Sequence, residues 1–196
     1  MSRTKGRLQL LFLMGVFFLP VIAAVILVSS GYMPGGVTTN HGTLVQPAEQ
    51  LDTKNWEPVR GEAPVTGGLW QIVVPFTADC GEDCQARLDL LTRARVALDR
   101  SIDRVLLVSV QPPGVEPPPE SQDSVIAMTA PMASVNALAQ ADGVAIAANI
   151  VDYRGYHVMR YAEPLDAAGL LDDLEKLLRL AKEEAERRAR EEALAQ

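Results

Sequence analysis

Basic residues are missing from one long stretch of this chain: between Arg7 and Lys54 there is no Lys or Arg. Cysteine and histidine are scarce as well, with two of each in 196 residues. Two cysteines fall short of the four ligands that a structural zinc site normally needs, so zinc is their least favoured use. No Ser-His-Asp set can be assembled around His41 or His157, and no phosphate-cradling glycine loop is present. Hydrolytic and nucleotide-binding sites of those kinds are excluded, and no internal repeat is visible.

What is there begins with an apolar run. From Leu8 to Val28 every residue except Gln9 is apolar, Gly or Pro, which matches the ~20 residues that a bilayer-spanning helix needs. Arg3, Lys5 and Arg7 stand before it, so the positive-inside rule puts the N-terminus in the cytoplasm and the remainder across the membrane. Pro20 lies mid-span, where membrane helices tolerate a kink. A signal peptide cleaved near Ser29, Ser30 and Gly31 is the rival reading, but the apolar cores of such peptides are shorter, ~7–15 residues. A permanent anchor is expected, and both readings export the rest of the chain.

Three of the 18 basic residues precede the run, which leaves 15 against 25 acidic residues in the exported part. That balance speaks against nucleic acid or anionic lipid as a partner. For two cysteines in an exported compartment, the plain expectation is one structural disulfide.

The cysteines lie together in Asp79-Cys80-Gly81-Glu82-Asp83-Cys84. The apolar run Leu69–Phe76 precedes them and an amphipathic stretch, Gln85 to Arg100, follows. Strand, cysteine-bearing turn and helix is an arrangement suited to thiol chemistry. A thiolate is both nucleophile and metal ligand, and a helix N-terminus lowers a thiol's pKa. Asp79, Glu82 and Asp83 act the other way, because nearby carboxylates disfavour a further negative charge. A strongly oxidising centre is therefore disfavoured, whereas binding of a soft cation such as Cu(I) is not. Cysteines four apart can also bridge, since one helical turn brings their Cα atoms within ~4.4–6.8 Å. A passive clip of this kind closes a very small loop and stabilises little.

Taken in order, residues 1–30 read as a cytoplasmic tip and anchor, and 31–68 as a linker followed by an irregular segment. Within that segment Asn40-x-Gly42 suits a tight turn, Leu44, Val45 and Trp56 are expected to dock on a core, and a weak strand signal covers Leu51 to Val59. Leu69–Phe76 and Arg104–Val110 are continuous apolar strands of the kind covered on both faces. Between them Leu88, Leu91, Leu98 and Ile102 form a core-facing stripe, Arg87, Arg93 and Arg100 point outward, and Asp83 is the expected N-cap. Gln111 to Asp123, with Pro112, Pro113 and Pro117 to Pro119, is an extended loop, and Ser124 to Met128 is ambiguous. Ser134 to Ala141 reads as a short helix starting near Pro131 or Ser134. Gly143–Val151 is a third strand, Asp152–Gly155 a turn, and Tyr156–Tyr161 its hairpin partner. Asp166 caps a long last helix whose buried face is Leu170, Leu171, Leu174, Leu177 and Leu178. Residues 181–196 are a charged helical extension.

The expected fold class is α/β: a thioredoxin-like domain over 69–180, with three parallel-type strand positions and a terminal hairpin, preceded by one transmembrane helix. The span, the pattern Asn40-x-Gly42-x-Leu44-x-x-Pro47, the strand led by Trp70 and Cys80-x-x-x-Cys84 together resemble the Sco-like membrane proteins of proteobacteria, which are linked to cytochrome c oxidase assembly. The resemblance covers roughly Asn40 to Leu178. It departs from the Sco pattern, which places proline after each cysteine and a histidine just before the third core strand. Here Gly81, Gln85 and Asp142-Gly143 stand at those places, and Pro131 is far from the position where thioredoxins keep a cis-proline. The resemblance implies an inner-membrane, single-pass protein whose C-terminal domain is periplasmic. It further implies Cys80 and Cys84 as catalytic thiols or as ligands of Cu(I), with oxidase subunits or other assembly factors as partners. Whether the chain is a thiol–disulfide oxidoreductase, a metallochaperone or a non-catalytic tethered scaffold with a structural disulfide stays open. His41 and His157 are the first candidates for a third copper ligand. Met128, Met132 and Met159 are read more readily as core residues.

Overall fold

In a computed structural model the described residues are 3–29, 40–61, 67–119 and 124–194, the side chains of 3–11, 24 and 27–29 excepted. The chain divides into two compact units, Met1–Thr39 and Asn40–Gln196. The first contains one helix, α1 (Arg3–Ser29), which covers the apolar run and carries Pro20 inside it. Phe12, Phe17 and Leu19 are exposed on it. Among the described residues no helix is long and apolar enough to cross a membrane. The expected linker at 31–39 lies outside the described residues.

The second unit is a mixed sheet between helices. Its elements in order are β1 (Thr43–Gln50), β2 (Glu57–Pro58), β3 (Trp70–Pro75), α2 (Glu82–Ala97), a 3₁₀ turn (Asp99–Arg104), β4 (Val105–Gln111) and β5 (Val125–Thr129), followed by α3 (Met132–Ala139), β6 (Gln140–Ala141), β7 (Val144–Val151), β8 (Tyr156–Ala162) and α4 (Ala167–Leu194). The strands lie in the order β1-β8-β7-β3-β4-β5-β2, with β6 paired off this path to β7. At the centre β3 and β4 run parallel, Trp70 opposite Val105 and Pro75 opposite Val110. The linking helix α2 makes this a right-handed crossover unit. Every residue of β3 is buried, as a run apolar on both faces requires.

Two cores sit on opposite faces of the sheet. Trp70, Ile72, Val74, Leu88, Leu91, Leu107, Ile150, Met159, Leu170 and Leu174 form the one beneath α2 and α4. Val73, Val108, Val110, Met128, Val135 and Leu138 form the one beneath α3, where Trp56 is packed. Leu88, Leu91, Leu170 and Leu174 are all but inaccessible to solvent, and truncating any one to alanine should cost about 2–5 kcal/mol. Asp166 caps α4 as expected, its Oδ1 accepting the Gly169 N–H at 2.9 Å.

Several expectations are corrected. Gly81, not Asp83, occupies the N-cap of α2 and makes no side-chain cap bond; its carbonyl already accepts the Gln85 N–H at 3.1 Å, so Asp83 falls inside the first turn. The third core strand is not a parallel one: β7 runs antiparallel to β3. The eight residues of α3 advance the chain only about 12 Å, too little to return it along the sheet, so β7 enters from the same end. The segment read as irregular supplies two strands, β1 against β8 and β2 against β5. Leu44 is exposed on β1 rather than docked. The ambiguous Ser124–Met128 is β5, parallel to β4. Asp142 and Gly143, at φ 52° and 78°, turn β6 into β7, the left-handed pair that a two-residue hairpin loop favours.

Candidate functional site

The candidate site is built where β3 stops. Phe76 N–H still bonds Val110 O at 2.8 Å, after which Thr77, Ala78 and Asp79 are exposed. Gly81 N–H donates to Asp79 O at 2.9 Å, closing the turn that launches α2. The loop following β4 is stitched to the same turn: Glu116 N–H donates to Asp79 Oδ1 at 2.8 Å, and Cys80 N–H to Glu116 O at 3.4 Å.

Cys80 and Cys84 are joined in a disulfide, with Cα atoms 5.1 Å apart. Cys80 precedes the helix and is half-buried, whereas Cys84, in the first turn of α2, is 8% exposed and heads the stripe that continues through Leu88 and Leu91. An open cleft of about 540 Å³ runs beside the pair, lined by Pro75 to Asp79, Gly81 to Cys84, and Arg87. Glu82 and Asp83 are exposed on its rim. Arg87 does not point outward as its spacing suggested. Its guanidinium lies 5.6 Å from the centre of the Phe76 ring and forms an ion pair with Glu163. That arrangement spends the one cationic side chain of the cleft lining on a carboxylate and an aromatic face.

The histidines lie elsewhere. His41 Nδ1 is 3.3 Å from Asp166 and its Nε2 3.8 Å from Asp172, both associated with α4. His157 is buried on β8, its Nε2 without a hydrogen-bond partner among the described residues. Burial, reinforced by the nearby Arg160 charge, lowers its pKa to about 4. Neither histidine lines the dithiol cleft, and neither do Met128, Met132 or Met159. Met128 and Met159 are core residues, while Met132 is exposed. Among the described residues no three His, Cys, Asp or Glu side chains are grouped to hold a metal ion.

A group the sequence reading missed is Asp173, 3% exposed on α4. Its Oδ2 accepts from His41 N–H at 2.8 Å, Gly42 N–H at 2.9 Å and the Tyr161 hydroxyl at 3.0 Å. Burial first, and then the Asp173 charge, push the Tyr161 hydroxyl above its ordinary pKa. The available signal was helical period, since Asp173 falls on the same face as Leu170 and Leu174.

The strand order, the crossover through α2 and the cysteine pair at the helix start define a thioredoxin-like dithiol protein. More particularly, the chain belongs to the family described as transmembrane-like, thioredoxin-like, C-terminal domain, whose model matches residues 70–181. No curated protein matches the chain. Among solved structures it is similar to Arabidopsis thaliana ScoI with copper bound, at 16% identity and a TM-score of 0.44, over 59% of this chain and 87% of that one. Yeast Sco1 with copper bound is similar at 14% identity and a TM-score of 0.45, over 74% of this chain and 95% of that one. A yeast mitochondrial 1-Cys peroxiredoxin is similar at 14% identity and a TM-score of 0.42, over 60% and 67%.

Proposed function

We propose that this chain is a membrane-anchored thiol–disulfide factor that serves cytochrome c oxidase assembly through Cys80 and Cys84. The observation that carries the reading is the disulfide across the first turn of α2, with Cys80 half-buried before the helix and Cys84, 8% exposed, in the lining of the cleft. One reactive and one sheltered sulfur is what sequential thiol–disulfide exchange uses, because the accessible sulfur is attacked and the other leaves. In its reduced form the pair would reduce a disulfide between copper-site thiols of an oxidase subunit or another assembly factor, returning to the disulfide itself. The oxidase assignment is supported by the sequence resemblance to Sco-like proteins.

Carriage of Cu(I) as cargo is the second reading. It is favoured by two thiolates beside Asp79, Glu82 and Asp83, soft donors in a negative field. It would need a third ligand from the partner or a two-coordinate complex, because no histidine or methionine lines the cleft. The anchor reading is supported by the uncharged run from Leu8 to Val28. Arg3, Lys5 and Arg7 would then stay in the cytoplasm, with the thioredoxin-like domain, its N-terminal segment and the 181–196 extension in the periplasm.

The test is a Cu(I) titration of the fully reduced chain against a competing chelator, alongside oxidase assembly in a Cys80→Ser/Cys84→Ser strain. Assembly lost without stoichiometric copper binding supports the thiol factor, and assembly lost with binding that disappears in Cys80→Ser supports copper carriage. Unchanged oxidase assembly would sink both and leave a tethered scaffold, whose activity should instead vanish on deleting 181–196.

A further inference from the structure

Strand β4 is apolar on both faces until it nears the dithiol. Val105 and Leu107 join the core beneath α2 and α4, while Val108 and Val110 join the one beneath α3. The two-residue period of a strand therefore places Ser109 and Gln111 on the α2 side, next along from Leu107. Both are sealed from solvent, at 0% and 1% exposure. Among the described residues, Ser109 Oγ and both polar atoms of Gln111, Nε2 and Oε1, have no hydrogen-bond partner. Such atoms are rare in folded proteins, because a buried donor or acceptor without a partner has given up water for nothing.

Their place in the fold suggests what they serve. β4 runs parallel to β3 with Ser109 opposite Val74, so both strands finish at the edge where the chain turns through Cys80 into α2. The loop leaving Gln111 is the one whose Glu116 backbone bonds Asp79 and Cys80. Cys84 is the first buried residue of α2 and shares a core cluster with Val74, Phe76 and Leu107. Cys80 is the more exposed of the two, so an attacking thiol would meet it first and release the sulfur of Cys84.

We propose that Ser109 and Gln111 are the polar partners of the reduced cysteine pair: they hydrogen-bond the Cys84 sulfur once the disulfide opens and bias the equilibrium toward the dithiol. The inference rests on reading Cys80 and Cys84 as a redox pair. With a dithiol reductant, one thiolate bonds Cys80 Sγ and the S–S bond breaks. The electron pair leaves on Cys84 Sγ, which takes a proton. The reductant's second thiolate then displaces Cys80 Sγ, which takes the second proton, and the reductant departs as a disulfide. Two electrons and two protons have moved to the cysteines. In the disulfide neither sulfur carries a hydrogen to offer Gln111 Oε1, and a sulfur is only a weak acceptor for the Gln111 amide and the Ser109 hydroxyl. In the dithiol, Cys84 S–H can donate to Gln111 Oε1 and its sulfur can accept from Gln111 Nε2 or Ser109 Oγ.

The test equilibrates the full-length chain in detergent with glutathione redox buffers and counts thiols. Gln111→Leu should lower the equilibrium constant for reduction at least tenfold, about 30 mV for a two-electron couple, and Ser109→Ala should move it the same way by less. The thermal midpoint of the oxidised form should stay level or rise. An unchanged equilibrium constant, with both redox forms shifting equally in stability, would overturn the proposal. If Gln111→Leu does not fold, the wild-type chain decides: the Gln111 side-chain amide resonance should move on reduction, and an identical resonance in both forms overturns it. The oxidase role is read separately in the double cysteine strain, so either idea can fail without the other.

Discussion

Tyr161 on the last strand donates a 3.0 Å hydrogen bond to Asp173 on the last helix. The same carboxylate oxygen takes the backbone N–H groups of His41 and Gly42, so one buried charge ties the entry of the domain to its exit. Hydrogen bonds to a charged group contribute about 1.5–3 kcal/mol each, and donors left buried without a partner are costly. Asp173→Ala should lower unfolding stability by about 3 kcal/mol and Tyr161→Phe by about 1 kcal/mol in urea titrations. Gly42→Ala should also destabilise, because a Cβ there would meet the Tyr161 ring at 2.6 Å. Equal stability of Asp173→Ala and wild type would refute the tie.

His157 makes the domain acid-sensitive in a defined window. Its folded pKa of about 4 lies below the ordinary histidine value of 6.5, so between those values the unfolded chain binds more protons than the folded one. Stability should therefore fall as pH drops from about 6.5 to about 4, then level off for this group, by at most about 3 kcal/mol. His157→Gln should flatten that part of the stability profile; a curve of unchanged slope would show that other groups govern it.

The unequal exposure of the two cysteines predicts unequal reactivity. With its partner replaced, Cys80 in Cys84→Ser should react with a chromogenic disulfide reagent at least about tenfold faster than Cys84 in Cys80→Ser, because only accessible thiolates attack readily. Cys84→Ser should also accumulate a mixed disulfide with the partner protein. Similar rates in the two variants would mean that the helix start opens freely in solution.

Glu82 and Asp83 put negative charge beside the site of attack. Glutathione is itself anionic, so Glu82→Gln/Asp83→Asn should speed reduction of the disulfide by about two- to fivefold at low ionic strength. The gain should disappear in roughly 1 M salt, where the screening length is about 3 Å. A gain that survives high salt would point to altered helix capping instead.

The parts of this fold legible in the sequence are those whose pattern is self-contained. β3 and β4 are continuous apolar runs, β8 alternates, and α4 repeats leucine at helical spacing, so each announces itself without its neighbours. β1 does not, because nearly all of its residues are exposed and it becomes a strand only when the edge of β8 offers it partners. β5 follows a proline-rich loop and has five residues, too short for a period to stand out. The dithiol was legible as a strand-turn-helix motif. Asp173 was not, since it sits beside Asp172 in a helix full of charges and only its register distinguishes it. Ser109 and Gln111 were hidden for a similar reason: Ser109 reads as one small residue inside an apolar strand, and Gln111 as the start of the loop that follows it.

The two tryptophans, Trp56 and Trp70, are buried in different cores on opposite faces of the sheet. Each face thus carries its own intrinsic fluorophore, and Trp70 has an aromatic neighbour, Tyr153 at 6.1 Å. Paired Trp→Phe variants therefore turn a single emission signal into two, one for the layer that holds the dithiol and one for the layer behind it. Coincident melting of the two signals would mark the sheet as one cooperative unit, and separated melting would mark the dithiol layer as a unit that can loosen while its backing stays folded.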